Sequence, residues 1–217
     1  MDFTFNPTIE VVNKTNGIAT QEQIHDEPML FSAHPEFAAE RGGPLTIAAL
    51  KMLCYHLPKV ATEGKHLVID TRSHMLMPGM YPAIGGWHCD AVARSDYNAQ
   101  PDLSKMDGAK HWVMTLSTHP EGVSRTEFIT QDYTAKDIDK DLVWGSVSRG
   151  IGNGDNLDKM LLKDGELLMF TSSTLHRAMP ATRRGWRWFF RCSEYHSKPQ
   201  NKIRKQVQVY TDISGGW

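Results

Sequence analysis

Long apolar runs are missing from this chain of 217 residues. No stretch approaches the roughly 20 residues that cross a bilayer as a helix, so no membrane span is expected. The N-terminal segment MDFTFNPTIEVV carries an acid at position 2 and no basic region ahead of an apolar core, so it does not read as a secretory signal. Cysteine is scarce. Cys54, Cys89 and Cys192 are an odd set without paired or zinc-finger spacing, which points to reduced thiols and a cytoplasmic location. The sequon Asn13-Lys14-Thr15 then carries no meaning. An excess of one charge is also absent: the formal net charge of -1 offers no bulk attraction to nucleic acid or to an anionic membrane, although a local patch remains open. Hydrophobic residues at 40% and charged residues at 23% exclude disordered and collagen-like classes. The length suits one domain, residues 1–217, with one sizeable core.

What is present divides at about residue 65. Residues 1–42 are mixed and polar, without a sustained period, and read as an N-terminal extension. Pro44 then occupies a first-helical position. Leu45, Ala48, Ala49, Met52 and Leu53 follow the spacing of one buried helical face until Pro58. From residue 66 the period becomes two, and β-branched and aromatic residues cluster between Gly, Pro, Asn and Asp. Strands are expected at 66–77, 84–91, 111–118, 125–130, 166–172, 186–195 and 206–211. The β core thus spans 66–211, behind an extension and helix at 1–65. Short strands without long intervening helices predict a sandwich, barrel or jelly roll and disfavour a doubly wound sheet.

The stretch GGWHCDAV, residues 85–92, places His88 and Asp90 two apart. On a strand both face the same side as Ile84 and Gly86, while Trp87 and Cys89 face the other. One imidazole and one carboxylate side by side make two ligands for a first-row metal and require a third from elsewhere. The tripeptide alone proves little. With ten histidines and fifteen aspartates in 217 residues, a His-x-Asp is expected about 0.7 times by chance. His34-Pro35-Glu36 and His119-Pro120-Glu121 have the same acid spacing, but a central proline suits a turn.

A second informative run is DGELLMFTSSTLHRAMPATRRGWRWFFR, residues 164–191. It reads as a turn, a strand, a Ser/Thr-rich connection reaching His176, and a second strand near Trp186. On that strand Arg187, Phe189 and Arg191 face one way, and Trp186, Trp188 and Phe190 the other. For an isolated strand the preferred reading makes the aromatics core and the arginines a solvated face.

Together, His88-x-Asp90, His176 at 86 residues beyond Asp90 and Arg187 at 11 beyond His176 resemble the Fe(II)- and 2-oxoglutarate-dependent dioxygenases. The run from GELLMF through LHRAMP to GWRWFF carries most of the likeness, and MPGMYPAIGGWHCD resembles the family's approach to its first metal strand. The resemblance covers residues 66–195 and identifies no subfamily. It implies a mainly β chain with flanking helices, folded as a double-stranded β-helix, a cupin-like jelly roll. His88, Asp90 and His176 would be the catalytic iron ligands, an open 2-His-1-carboxylate triad with room for 2-oxoglutarate and dioxygen (O2). Arg187 would bind the distal carboxylate of 2-oxoglutarate through its planar fork, with Arg191 the lesser candidate. The implied reaction hydroxylates an unactivated C–H bond and releases succinate and carbon dioxide. The substrate would be a small molecule, a nucleobase or a peptide; Arg183 and Arg184 beside aromatic residues are what nucleic acid would meet.

Two rival readings stay open. One is a cupin-like metalloenzyme using zinc or manganese in the same triad for hydrolysis or isomerisation, and the other is a jelly-roll binding or assembly protein. Neither has a use for Arg187. Residues 93–108, with Arg94, Asp96 and Tyr97, read equally as a substrate wall or an exposed connection. The glycine-rich residues 145–156 read as a loop, either passive or a lid. Cys89 reads as packing rather than a ligand, and His66, His74 and His111 as structural.

Overall fold

Most of the period-two segments become strands of two sheets, the long ones all in the larger sheet. The structure, a computed structural model, describes residues 1–56, 64–152 and 156–211. In chain order its elements are β1 (Phe3–Phe5), β2 (Ile9–Lys14), α1 (Gln21–His25), β3 (Leu30–Phe31), α2 (Pro35–Arg41), α3 (Pro44–Cys54), β4 (His66–Leu76), β5 (Lys110–Ser117), β6 (Thr126–Ile129), β7 (Tyr133–Ala135), α4 (Val143–Gly152), β8 (Lys159–Leu161), β9 (Glu166–Thr171), β10 (His176–Ala178), β11 (Gly185–Tyr195) and β12 (Lys202–Ile203).

The larger sheet has five strands in the order β2-β9-β5-β11-β4, all antiparallel, and the smaller has the order β10-β6-β8. His88 extends the smaller sheet by a single antiparallel bridge to His176 at the start of β10. Along the chain, β4, the His88 bridge, β5, β6 with β8, β9, β10 and β11 alternate between the two sheets. That winding is the cupin-like jelly roll.

Strand β11 shows how the sequence selects the two faces. Trp188 and Phe190 are fully buried with Trp112 and Met114 of β5 against Ile24, Ala38, Ala49 and Leu53 of the helices. Such large side chains each contribute about 1.5–3 kcal/mol of burial. The alternate residues Arg187, Phe189 and Arg191 point between the sheets. The solvated face preferred for an isolated strand is therefore wrong here, because helices cover one side of the sheet and the smaller sheet covers the other.

Four expectations are corrected. Residues 84–91 form no strand: two adjacent glycines weaken extended pairing, and only His88 is bridged before Ala91 turns the chain at a φ of 59°. Residues 206–211 form none either. Tyr210 alone pairs, with Tyr81, and Val209 stays 37% exposed, so no apolar face holds the segment down. The 1–65 extension is more than a wrapping, since β2 is an edge strand of the main sheet and β1 pairs with β7. A register shift between Val11 and Asn13 breaks its period of two. Finally, 145–156 is largely helix rather than loop, because α4 buries Val143, Trp144, Val147 and Ile151; residues 153–155 lie outside the described residues, as does Pro58.

Helix α3 starts at Pro44 as the sequence predicts, but its N-cap Gly43 has no side chain to receive the first amides. Glu27, 3% exposed, does so from a distance. The N–H groups of Gly43, Leu45 and Thr46 donate to its carboxylate at 3.0, 3.0 and 2.8 Å. An anion at a helix N-terminus is favoured by the helix dipole, and its removal strands buried donors. Glu27→Ala is expected to lower the unfolding free energy by about 2–3 kcal/mol in urea titrations, and Glu27→Gln by less; a loss below about 0.5 kcal/mol would show that the cap is dispensable.

Candidate metal centre

The His88 N–H donates to the His176 carbonyl at 3.0 Å and the His176 N–H to the His88 carbonyl at 2.9 Å. This reciprocal pair sets the two rings side by side, with centroids 4.6 Å apart. Asp90, two residues on, falls on the same side, and one ligand atom from each of His88, Asp90 and His176 lies within 4.8 Å of the others. The shared-face expectation thus holds without a strand. Trp87 and Cys89 point the opposite way, into an apolar cluster with Phe5, Trp144 and Leu175. Burial pushes the Cys89 thiol well above its ordinary value, in keeping with packing rather than ligation.

Both imidazoles are oriented alike. Nδ1 of His88 lies 2.8 Å from the Gly86 carbonyl, and Nδ1 of His176 lies 3.0 Å from the Thr174 carbonyl. A carbonyl accepts only, so Nδ1 carries a proton in both rings and Nε2 is the atom each turns toward Asp90 and the cavity. Burial, with the neighbouring His176, lowers the His88 pKa to about 4, which keeps it neutral at pH 7. Burial alone would raise the Asp90 carboxyl; the Arg191 guanidinium and the His176 ring outweigh it and hold Asp90 well below the usual range. Nitrogen lone pairs and an ionised carboxylate are the donor state a divalent first-row metal requires.

The cluster opens into a cavity of about 330 Å³ between the sheets, walled by Val113, Phe128, Phe170 and Phe189 and by the cations Arg72, Arg187 and Arg191. That volume is at the small end for organic ligands. Arg191 already has partners: Nη1 donates to Asp90 Oδ2 at 2.7 Å, and Nη2 lies 3.4 Å from Asp70 Oδ2. Arg187 differs. It is 3% exposed, its Nε donates to the Ser124 carbonyl at 3.0 Å, and among the described residues no carboxylate pairs with it. Burial lowers its pKa to about 10, with the Asp164 charge acting against that, so it remains a cation at neutral pH.

Other sequence candidates separate clearly. Arg94, Asp96 and Tyr97 are exposed, Tyr97 by 93%, and none lines the cavity; residues 93–108 do not supply these side chains as a wall. Arg183 forms an exposed pair with Glu121 at 2.6 Å, away from the cavity. His34 caps α2. His111 is fully buried, 2.8 Å from Ser193 Oγ, as a structural residue should be.

His74 is not merely structural. It is 2% exposed, lines the cavity opposite Arg187 across the β4–β11 pair, and among the described residues neither ring nitrogen has a hydrogen-bond partner. Its signal was the polar alternation Asp70, Arg72, His74 along β4, which marks an inward polar face.

Burial, with Arg187, Arg72 and Arg204, lowers the His74 pKa to about 3. A histidine held neutral on folding takes up a proton on unfolding below about pH 6.5. Its contribution is therefore intact above that pH and is lost as pH falls toward 3. Urea unfolding of the metal-free protein between pH 6.5 and 4.5 should show falling stability, and His74→Leu should flatten the slope by up to about 1.4 kcal/mol per pH unit. Equal slopes would mean that His74 is not held neutral.

No protein-family model and no curated protein matches the sequence. Among solved structures, the chain is similar to the nickel complex of ThoJ, described as a non-heme monooxygenase, at 13% identity over 98% of this chain and 83% of that one, with a TM-score of 0.41. HygX from Streptomyces hygroscopicus with iron bound matches at 12% identity, over 84% and 87% of the two chains, with a TM-score of 0.43. An N-substituted L-amino acid dioxygenase from Burkholderia ambifaria AMMD matches at 13% identity, over 92% and 85%, also at 0.43. The likeness is distant, and the chemistry of the site rests on its own side chains.

Proposed function

We propose that the protein is an Fe(II)- and 2-oxoglutarate-dependent oxygenase of the hydroxylase type, acting on an organic substrate. The observation that carries this reading is Arg187. A guanidinium buried to 3% exposure in the cavity of the His88, Asp90 and His176 cluster, paired with no carboxylate among the described residues, is costly unless an anion joins it. A metal used for hydrolysis or isomerisation would have no need of that cation.

His88, Asp90 and His176 would hold the iron, and the donor set fits it. When bound, iron with 2-oxoglutarate and dioxygen would supply the oxidising power to hydroxylate a C–H bond, releasing succinate and carbon dioxide. The chain's own part is positioning. Gly86 and Thr174 carbonyls fix the rings, and Arg191 holds the Asp90 carboxylate. Arg187 precedes Arg191 by four residues on β11, roughly 13 Å of strand, and lines the same cavity as the three candidate metal ligands. Val113, Phe128 and Phe170 exclude water from the space between.

No helix among the described residues is long and apolar enough to cross a membrane. Cys54, Cys89 and Cys192 are unpaired, which supports a reducing, cytoplasmic location.

Anaerobic addition of Fe(II) and 2-oxoglutarate should give a weak visible charge-transfer band. His88→Ala, Asp90→Ala and His176→Ala should each abolish it together with iron retention. Arg187→Lys should weaken 2-oxoglutarate binding about 10- to 100-fold while iron binding persists, because it keeps the charge and loses the fork. Unchanged metal content in any two of the alanine variants, or equal loss of iron and cosubstrate in Arg187→Lys, would refute the assignment.

A further inference from the structure

We propose that the organic substrate is itself an anion, whose carboxylate or phosphate is held by Arg72 on the β4 side of the cavity, with Arg204 behind it. The proposal rests on the reading above for what occupies Arg187 and names the substrate class of the same site.

Three guanidiniums line the cavity against one lining carboxylate, Asp90. Arg191 is matched by Asp90 and by Asp70, and Arg187 is assigned to the cosubstrate. Arg72 is left over. Among the described residues no ion pair includes it, and its Nε is buried without a hydrogen-bond partner. The acids nearest in effect, Asp70 and Asp90, are both engaged by Arg191.

Among the described residues a second unmatched cation stands close. Arg204 lies with its guanidinium carbon 4.7 Å from the Phe31 ring centre and its Nε is likewise buried and unpartnered; burial first, and then the charges of Arg191 and Arg204, disfavour the charged form of Arg72. Like charges facing one another at low dielectric are destabilising unless an anion lies between them. His74 adds two unpartnered ring nitrogens to the same wall. Arg72 and Arg204 therefore supply donors and positive charge without a carboxylate between them, and the neutral His74 adds one donor and one acceptor nitrogen.

Position supports a subsite separate from that of Arg187. Arg72 pairs with Phe189 in the β4–β11 register, between the His74–Arg187 and Asp70–Arg191 pairs. It lies on the edge strand of the sheet, beside the C-terminal segment whose Tyr210 also lines the cavity. An anion held there leaves the rest of its molecule beside both the metal cluster and the cosubstrate.

The test uses the full-length protein in buffer containing Zn(II), a redox-inert occupant of the metal site, at saturating 2-oxoglutarate. Saturation-transfer NMR compares matched acids and neutral amides: N-acetyl amino acids and their carboxamides, and phenylacetate and phenylacetamide. Phenyl phosphate and inorganic phosphate separate phosphate from carboxylate preference. At least one anion should bind tenfold or more tightly than its neutral counterpart, or, for the phosphates, than phenylacetamide. Arg72→Gln should abolish that preference while leaving the 2-oxoglutarate Kd within twofold, and Arg72→Lys should retain part of it, which guards against a folding defect in the glutamine variant. The proposal is overturned if no anion is preferred, if none of the panel binds, or if Arg72→Gln weakens 2-oxoglutarate as much as the acid. An Arg72-dependent acid preference in a protein that fails to bind 2-oxoglutarate would instead overturn the cosubstrate reading and leave this one standing.

Discussion

Two backbone hydrogen bonds between His88 and His176 join segments 88 residues apart, and the candidate metal centre depends on them. The first segment has no ladder beyond that pair, so its neighbours must hold it. The Trp87 N–H donates to Ser148 Oγ of α4 at 3.0 Å, and the Arg177 guanidinium lies 4.5 Å from the centre of the Trp87 ring. Cys89 is buried on the same side. Alternate residues thus anchor outward while His88 and Asp90 project inward, a rigid support of the kind a preorganised site requires.

The second constraint is the placing of three arginines inside a jelly roll. A strand can bury charge only if both faces are covered and the charges meet partners. Helices α1 to α3 and the smaller sheet provide the cover. Asp70 and Asp90 provide partners for Arg191 alone. The residual positive charge is what the proposed anions would meet, and it arises from the same alternation that buries Trp188 and Phe190 on the other face.

The parts of this arrangement that were legible in the sequence share one property: they follow from order and period. His88 and Asp90 could be placed on one face from strand parity, and parity held even where the ladder did not form; His176 and Arg187 were singled out by the resemblance in order and spacing, and the fold brings all four to one cavity. What was hidden depends on partners distant in the chain. Strand β2 exists because β9 offers an edge, and its bulge conceals the alternation. The glycines of α4 masked the helical spacing of Val143, Val147 and Ile151. His74 was judged alone, for want of an acid at ligand spacing, whereas its environment comes from Arg187 across the strand pair.

The most direct test of the central claim, one cavity holding a metal and a diacid side by side, is a crystal structure of the protein prepared anaerobically with Fe(II) and 2-oxoglutarate. The account predicts a metal bonded to Nε2 of His88, Nε2 of His176 and a carboxylate oxygen of Asp90, with the distal carboxylate of 2-oxoglutarate on Arg187. A metal bound elsewhere, or a distal carboxylate seated on Arg72 or Arg191 instead, would contradict it.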